Sequence, residues 1–378
     1  MEPRELTQPF FDIVEGRHQY AREWKARTGG KVLGYFCTYV PEELIYAADV
    51  LPVRIMGGLE PADVSEAHIS SMYCPFSRDC LAQGLLGRYD YLDGVTITKS
   101  CMHIIQAFRS WSHHIPVEFS YFMGMPALVG GHLAQGYLVS ELQGFKQALE
   151  GWIGREITDA DIDRGMEIVN ANRRLLREVY ELRKQDPPPV WGAESAAIVM
   201  SSMVSDKREH NSLLQSLLKE LPQHQDGPQG GSRLMVVGSE NQDLELYEII
   251  EGAGGVVVID EYCFGSRYFW NQSIPGEDRL GAIAARLIER PRCPLKDVNE
   301  RVRLDHILNL ARGWKVQGAL LEHQKFCAPH EYDLPHIKRV LEGEGIPTYL
   351  MELDITLHRG SVRTRTEAFL EMLELELV

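Results

Sequence analysis

The feature that most constrains this chain is a series of short apolar runs, bounded by glycine and proline signals and separated by stretches of helical composition. The first is Lys31-Val32-Leu33-Gly34-Tyr35-Phe36, preceded by a predicted helix that closes at Gly29-Gly30. It is followed by Pro41-Glu42-Glu43-Leu44-Ile45-Tyr46-Ala47-Ala48, a helix with proline in its first turn. Residues 51–56 and Gly94-Val95-Thr96-Ile97-Thr98 continue the pattern, which is that of a parallel sheet with crossover helices. A second series begins at Arg233-Leu234-Met235-Val236-Val237. It runs through a helix over residues 244–250, then Val256-Val257-Val258-Ile259, Gly318-Ala319-Leu320-Leu321 and Pro347-Thr348-Tyr349-Leu350-Met351.

Between the two series, residues 141–221 read as helical, with Arg173, Arg174, Arg177 and Glu178 set against Leu175, Leu176 and Val179. Pro187-Pro188-Pro189 interrupts the helices, and residues 222–232, rich in Gln, Gly and Pro, read as a linker. The predicted fold is therefore α/β: two Rossmann-like parallel-sheet domains over residues 1–140 and 232–378, joined by a helical connector and linker over residues 141–231. A length of 378 residues suits two domains of ordinary size.

Charge narrows the function. Asp and Glu number 54 against 39 Lys and Arg, and the net charge of -15 repels nucleic-acid phosphates and anionic lipid surfaces. The opening Met1-Glu2-Pro3-Arg4-Glu5-Leu6 is charged where a signal peptide is apolar, and no stretch approaches the ~18 apolar residues of a membrane span. A cytoplasmic protein without nucleic-acid or membrane partners is expected. Neither the dinucleotide fingerprint nor the P-loop occurs; Gly29-Gly30-Lys31 lacks the spacing, so no NAD or ATP site of these kinds is expected.

The seven cysteines are an odd number in a chain without an export signal, which favours metal or thiol chemistry over disulfides. Cys37, Cys101, Cys263 and Cys327 each follow a predicted strand, where open parallel sheets bind their ligands. Cys74 precedes Pro75 at a predicted helix start. Thiolates at helix starts suit soft iron-sulfur ligation. Spacing alone leaves cluster ligation and buried free thiols both open, since free cysteine is among the most buried residue types. Cys74 and Cys80 lie further apart than the usual zinc pair, with no second pair to complete a site. Cys293, within Pro291-Arg292-Cys293-Pro294, reads as an incidental loop thiol.

Several blocks, in order, carry a resemblance. Gly34-Tyr35-Phe36-Cys37-Thr38-Tyr39-Val40-Pro41-Glu42-Glu43 through Ala48, Leu51-Pro52-Val53-Arg54, Cys74-Pro75-Phe76-Ser77-Arg78, Tyr89-Asp90-Tyr91-Leu92-Asp93-Gly94-Val95, Asp260-Glu261-Tyr262-Cys263-Phe264-Gly265-Ser266-Arg267-Tyr268-Phe269 and Arg363-Thr364-Arg365-Thr366-Glu367-Ala368-Phe369 span nearly the whole chain. They resemble the 2-hydroxyacyl-CoA dehydratase and class I benzoyl-CoA reductase family. Within it, the length and the block Tyr73-Cys74-Pro75-Phe76-Ser77-Arg78-Asp79-Cys80 look most like a smaller cluster-bearing subunit of the reductase.

The resemblance implies a [4Fe-4S] cluster between the two domains, or a double-cubane cluster, with Cys37, Cys74 and Cys327 as its ligands. It implies a related cluster-bearing subunit, ATP-hydrolysing activator subunits and a ferredoxin-type electron donor as partners. The activity implied is low-potential electron transfer to the aromatic ring of an acyl-CoA substrate, giving a cyclic dienoyl-CoA. The alternatives are radical water elimination by a 2-hydroxyacyl-CoA dehydratase and electron transfer through a double-cubane-type cluster. Cys101 stands where many relatives have Cys-Asp but is followed by Met102, so its role stays open, as do those of Cys80 and Cys263. His103, His113, His114 and His323 are candidate proton donors beside ordinary structural roles. Asp260, Glu261 and Arg267 suit a cleft or a structural ion pair, and Arg363 and Arg365 suit coenzyme A phosphates or a solvated face.

Overall fold

The computed structural model of the chain describes residues 5–59, 63–223 and 227–376. Its first sheet contains β1 (Val32–Tyr35), β2 (Leu51–Arg54), β3 (Gly94–Thr98) and β4 (Phe119–Met123) in the order β2-β1-β3-β4. Its second contains β5 (Ser232–Val237), β6 (Gly255–Glu261), β7 (Gly318–Gln324) and β8 (Thr348–Leu353) in the order β6-β5-β7-β8. All pairings are parallel, and the second sheet repeats the topology of the first. In each, the strand order reverses beside the first strand, placing a topological switch point between β1 and β3 and another between β5 and β7.

β1, β2, β3 and β6 are buried along their whole length, and strands covered on both faces are written as continuous apolar runs. The runs above miss β4 for the converse reason. As an edge strand it leaves Ser120 and Phe122 exposed and half-buries Phe119 and Tyr121, so its pattern alternates. Within the expected linker, residues 224–226 lie outside the described residues, and Leu221–Gln223 is a single 3-10 turn.

The helices between the sheets do more than connect. Asp159–Leu182 starts at a capping box, in which Thr158 and Asp161 satisfy each other's backbone N–H groups. Gly192–Val204, rich in Ala, Ser and Met, is buried at every residue and packs on β2, on β6 and on the helices Gln8–Glu15 and Leu244–Gly252. One hydrophobic core thus runs through both sheets. Among the described residues no helix is long and apolar enough to cross a membrane.

Two buried carboxylates tie these layers together. Glu42 accepts from Lys207 Nζ at 2.8 Å, from Tyr35 Oη at 3.1 Å and from Tyr268 Oη at 2.8 Å. Glu43 accepts from Arg173 Nη1 at 2.6 Å and from Ser273 Oγ at 2.8 Å. Arg173 is therefore not on a polar face, as the helical pattern suggests; its guanidinium is buried against a partner 130 residues earlier. Burial works to raise the Glu43 carboxyl, but the Arg173 guanidinium, with Arg286 behind it, brings it down to about 2. Removing one member of such a pair leaves an uncompensated buried charge. Glu43→Ala is expected to destabilise the fold by about 3–5 kcal/mol, read as a lowered urea midpoint; an unchanged midpoint would show that the pair is idle.

His210 supplies a pH-dependent contribution. Its ring is fully buried, with Nδ1 at 3.0 Å from Asn172 Nδ2 and Nε2 at 2.9 Å from Ser201 Oγ. Burial, aided by the Lys207 ammonium, lowers its pKa from 6.5 to about 3. The folded state holds the ring neutral while the unfolded chain protonates it, so its contribution is complete above pH ~6.5 and is lost as pH falls toward 3. Between pH 7 and pH 5 the native chain should lose more stability than His210→Gln, measured as paired urea midpoints; equal losses would assign the acid sensitivity elsewhere.

Candidate functional site

The carboxyl ends of both sheets open onto one cavity of about 70 Å³. Residues following β1, β3, β5, β6 and β7 all line it, so it sits at the two switch points together. Six of the seven cysteines line this space: Cys37, Cys74, Cys101, Cys263, Cys293 and Cys327. Phe36, Phe76, Ile104 and Pro329 give it an apolar surface. All seven cysteines are free thiols.

Local structure explains how each sulfur arrives. Cys37 lies two residues beyond β1. Cys74, Cys101 and Cys327 are the N-cap residues of the helices Pro75–Leu85, Met102–His114 and Ala328–Gly343, and Cys293 caps the 3-10 turn Pro294–Lys296. None of the three cap side chains accepts from a backbone N–H of its helix, and helix N-termini carry partial positive charge that favours an anion. Cys327 is presented by a tight turn: its N–H bonds Gln324 O at 2.8 Å, and Phe326 before it holds a left-handed φ of 62°. Cys263 follows β6, its N–H donating to Ser239 O at 3.1 Å.

The expected ligands Cys37, Cys74 and Cys327 are thus brought together, along with Cys101 and Cys263, whose roles the sequence leaves open. Cys293 requires a correction: it is no incidental thiol but part of the same wall. The signal that could have found it is the Cys-Pro pair itself, since Cys293-Pro294 repeats the helix start of Cys74-Pro75. Cys80 is fully buried away from the cavity and donates to Ile55 O at 3.7 Å, so Cys74 and Cys80 form no zinc pair.

The histidines separate in the same way. His103 Nδ1 accepts the Cys74 N–H at 3.1 Å, which puts the proton of the neutral ring on Nε2. His113 and His114 are exposed at the end of their helix. His323 is buried within β7 and does not line the cavity. His330, absent from the sequence candidates, does line it; burial, together with the Arg303 and Arg267 guanidiniums, lowers its pKa well below the ordinary range and leaves Nδ1 without a partner. Arg363 and Arg365 are exposed, and Arg365 borders a separate groove with Lys325 and His358.

Charged groups surround the thiols. Burial pushes up the thiols of Cys74, Cys101, Cys263 and Cys293, and that of Cys327 to about 12. Without a cation these groups stay protonated; a bound metal would displace the protons. Arg54, fully buried, bonds Glu240 at 3.1 Å, and Glu240, whose Oε2 has no partner, borders the cavity. Arg267, of the Asp260, Glu261 and Arg267 group, lies behind Cys263 and forms a buried ion pair with Glu261 at 3.5 Å.

Among the described residues no group of three or more His, Cys, Asp or Glu is arranged to hold a metal ion. Six sulfurs spread around a cavity instead fit a multi-iron group, whose ligands attach to separate irons across its surface. The donor set is soft, the lining apolar and the helix starts positive, so the residues present fit an iron-sulfur cluster.

Fold and site together define an α/β protein with a cysteine-lined cavity shared by two parallel sheets. The chain belongs to the family described as 2-hydroxyglutaryl-CoA dehydratase, D-component, which it matches over residues 37–373. This bears out the resemblance of its sequence blocks. It is 27% identical over 367 residues to the (R)-phenyllactyl-CoA dehydratase beta subunit of Clostridium sporogenes, covering 96% of this chain and 97% of that protein. It is 29% identical over 322 residues to one of the benzoyl-CoA reductase subunits of Thauera aromatica, covering 83% of each. The (R)-2-hydroxyglutaryl-CoA dehydratase subunit beta of Acidaminococcus fermentans is 25% identical, with 97% of this chain and 99% of that protein aligned.

Proposed function

We propose that this chain is an iron-sulfur subunit of an enzyme that transfers low-potential electrons to an acyl-CoA thioester. The observation that carries the reading is the apolar cavity ringed by cysteine sulfur at both switch points. Relationship over 83–97% of the chain to subunits of CoA-thioester dehydratases and a benzoyl-CoA reductase supports the substrate class. The reductase is the specific reading: electrons from a ferredoxin-type donor, raised in energy by an ATP-hydrolysing activator, pass through this subunit and its related partner to the ring of benzoyl-CoA, giving a cyclic dienoyl-CoA.

Cys37, Cys74 and Cys327 would hold a [4Fe-4S] cluster, which supplies one-electron chemistry at low potential when bound. The chain's own contribution is to exclude water with Phe36, Phe76 and Ile104 and to aim three helix N-termini at the sulfurs. A second reading is favoured by Cys101, Cys263 and Cys293 sharing the same wall: six sulfurs would hold a larger, double-cubane-type cluster.

Iron and sulfide analysis of the chain purified anaerobically distinguishes these readings. About four iron per chain, lost in Cys37→Ser, Cys74→Ser or Cys327→Ser and retained in Cys293→Ser, supports the three-ligand cluster. About eight per chain, reduced by Cys263→Ser or Cys293→Ser as well, supports the six-ligand one. Cys80→Ser should leave iron unchanged in either case. An iron-free wild-type chain would overturn both, and an EPR signal altered by a 2-hydroxyacyl-CoA but not by benzoyl-CoA would replace the reductase with a dehydratase.

A further inference from the structure

The wall of the cavity formed by the second half of the chain is backed by buried cations, two of which have no carboxylate within ion-pair distance among the described residues. Arg267 is 1% exposed. Its Nη2 donates to Gly238 O at 2.8 Å, to Ser239 O at 2.9 Å and to Cys263 Sγ at 3.3 Å. Its Nε and Nη1 have no hydrogen-bond partner. The carboxylate paired with it, Glu261 at 3.5 Å, is held more closely by Arg303, whose Nε donates at 3.1 Å and whose Nη2 makes a second, shorter bond. Arg303 also binds Asp333, which in turn binds Arg301 at 2.6 Å. Three guanidiniums therefore share Glu261 and Asp333, and Arg267, which the Glu240 carboxylate also attracts, is the member that touches a cysteine of the cavity wall.

Two further cations lie on the same side. Arg290, 2% exposed, donates to the carbonyls of Thr38 and Arg267 and stacks on Tyr39 at 4.4 Å. Lys296, 4% exposed, donates to Pro126 O at 3.0 Å. Neither has a carboxylate within ion-pair distance among the described residues. Uncompensated buried charge is costly and persists where an anion balances it. Arg267 acts on Cys263 and Cys293, and Lys296 on Cys293 and Cys37, so an anion held by these sulfurs would balance the cations.

We infer that Arg267 is a positioning residue that donates to the Cys263 sulfur and, backed by Arg290 and Lys296, supplies the counter-charge of an anionic iron-sulfur cluster and sets its reduction potential. This rests on the cluster reading above. Donors to cluster sulfur and nearby positive charge stabilise the more negative, reduced state, so Arg267 raises the potential and Glu261 lowers it.

The test is an EPR-monitored redox titration of the full chain, purified anaerobically with its co-purifying partners, as wild type, Arg267→Met, Arg267→Lys and Glu261→Gln. Arg267→Met is expected to lower the ratio of reduced to oxidised cluster about tenfold at a fixed poise, which for a one-electron couple is about 59 mV. Arg267→Lys should shift it less, and Glu261→Gln should shift it the opposite way. A loosened fold does not produce opposite shifts from the two ends of one ion pair. If Arg267→Met loses its iron, the sign of the Glu261→Gln shift decides. Bound iron with a wild-type potential in every variant that retains it overturns the inference and leaves the cluster reading standing, whereas an iron-free wild type overturns both.

Discussion

The geometry of the cavity depends on charges buried at some distance from it. Glu42 and Glu43 begin the helix Glu42–Ala47, which follows β1 and Cys37. Their partners are Lys207 and Arg173 from the intervening helices, and Tyr268 and Ser273 from the second half of the chain. A loop held only by apolar packing could slide; one fixed by charge-assisted hydrogen bonds with defined lengths has little freedom to do so. The segment bearing Cys37 is thereby registered against the segment bearing Cys263 and Arg267. Buried ion pairs contribute little net stability compared with apolar packing, so their value here lies in specifying one arrangement of the two sheets.

That constraint also explains what can be read from the sequence. Strands buried on both faces announce themselves as apolar runs, and the repeated β2-β1-β3-β4 and β6-β5-β7-β8 orders are visible as two series of such runs. β4 is not, because an edge strand needs only one buried face. Arg173 looks solvated because its neighbours in sequence are charged, while the partner that buries it lies on a helix 130 residues away. Helical periodicity reports which face is apolar; it is silent about a charge neutralised from elsewhere in the fold.

The cysteines divide along the same line. Position after a strand or before a proline is legible one residue at a time, and it finds Cys37, Cys74, Cys101, Cys263 and Cys327. Convergence is not legible, because it depends on two switch points opening onto a common space. Cys293 belongs to a short 3-10 turn rather than to a strand end or a long helix, so it has only its proline to mark it. His330 has no local mark at all: it enters the cavity because the left-handed turn at Phe326 starts the helix Ala328–Gly343 at the cavity wall.

The electrostatics of the cavity are coherent only when thiols and cations are considered together. Burial alone opposes ionisation of Cys293 and Cys327, and it equally opposes leaving Arg290 and Lys296 without counter-charges. An occupant that binds deprotonated sulfur and carries net negative charge answers both, because it replaces the thiol protons and balances the cations at once. The wall contributed by the first half of the chain differs: Arg54 there is paired with Glu240, and the helix N-termini at Cys74 and Cys101 contribute only partial charges. Negative charge within the cavity is therefore best accommodated toward Cys263 and Cys293. Those thiols lie outside the three-cysteine set, yet the buried cations Arg267 and Lys296 act on one or both of them.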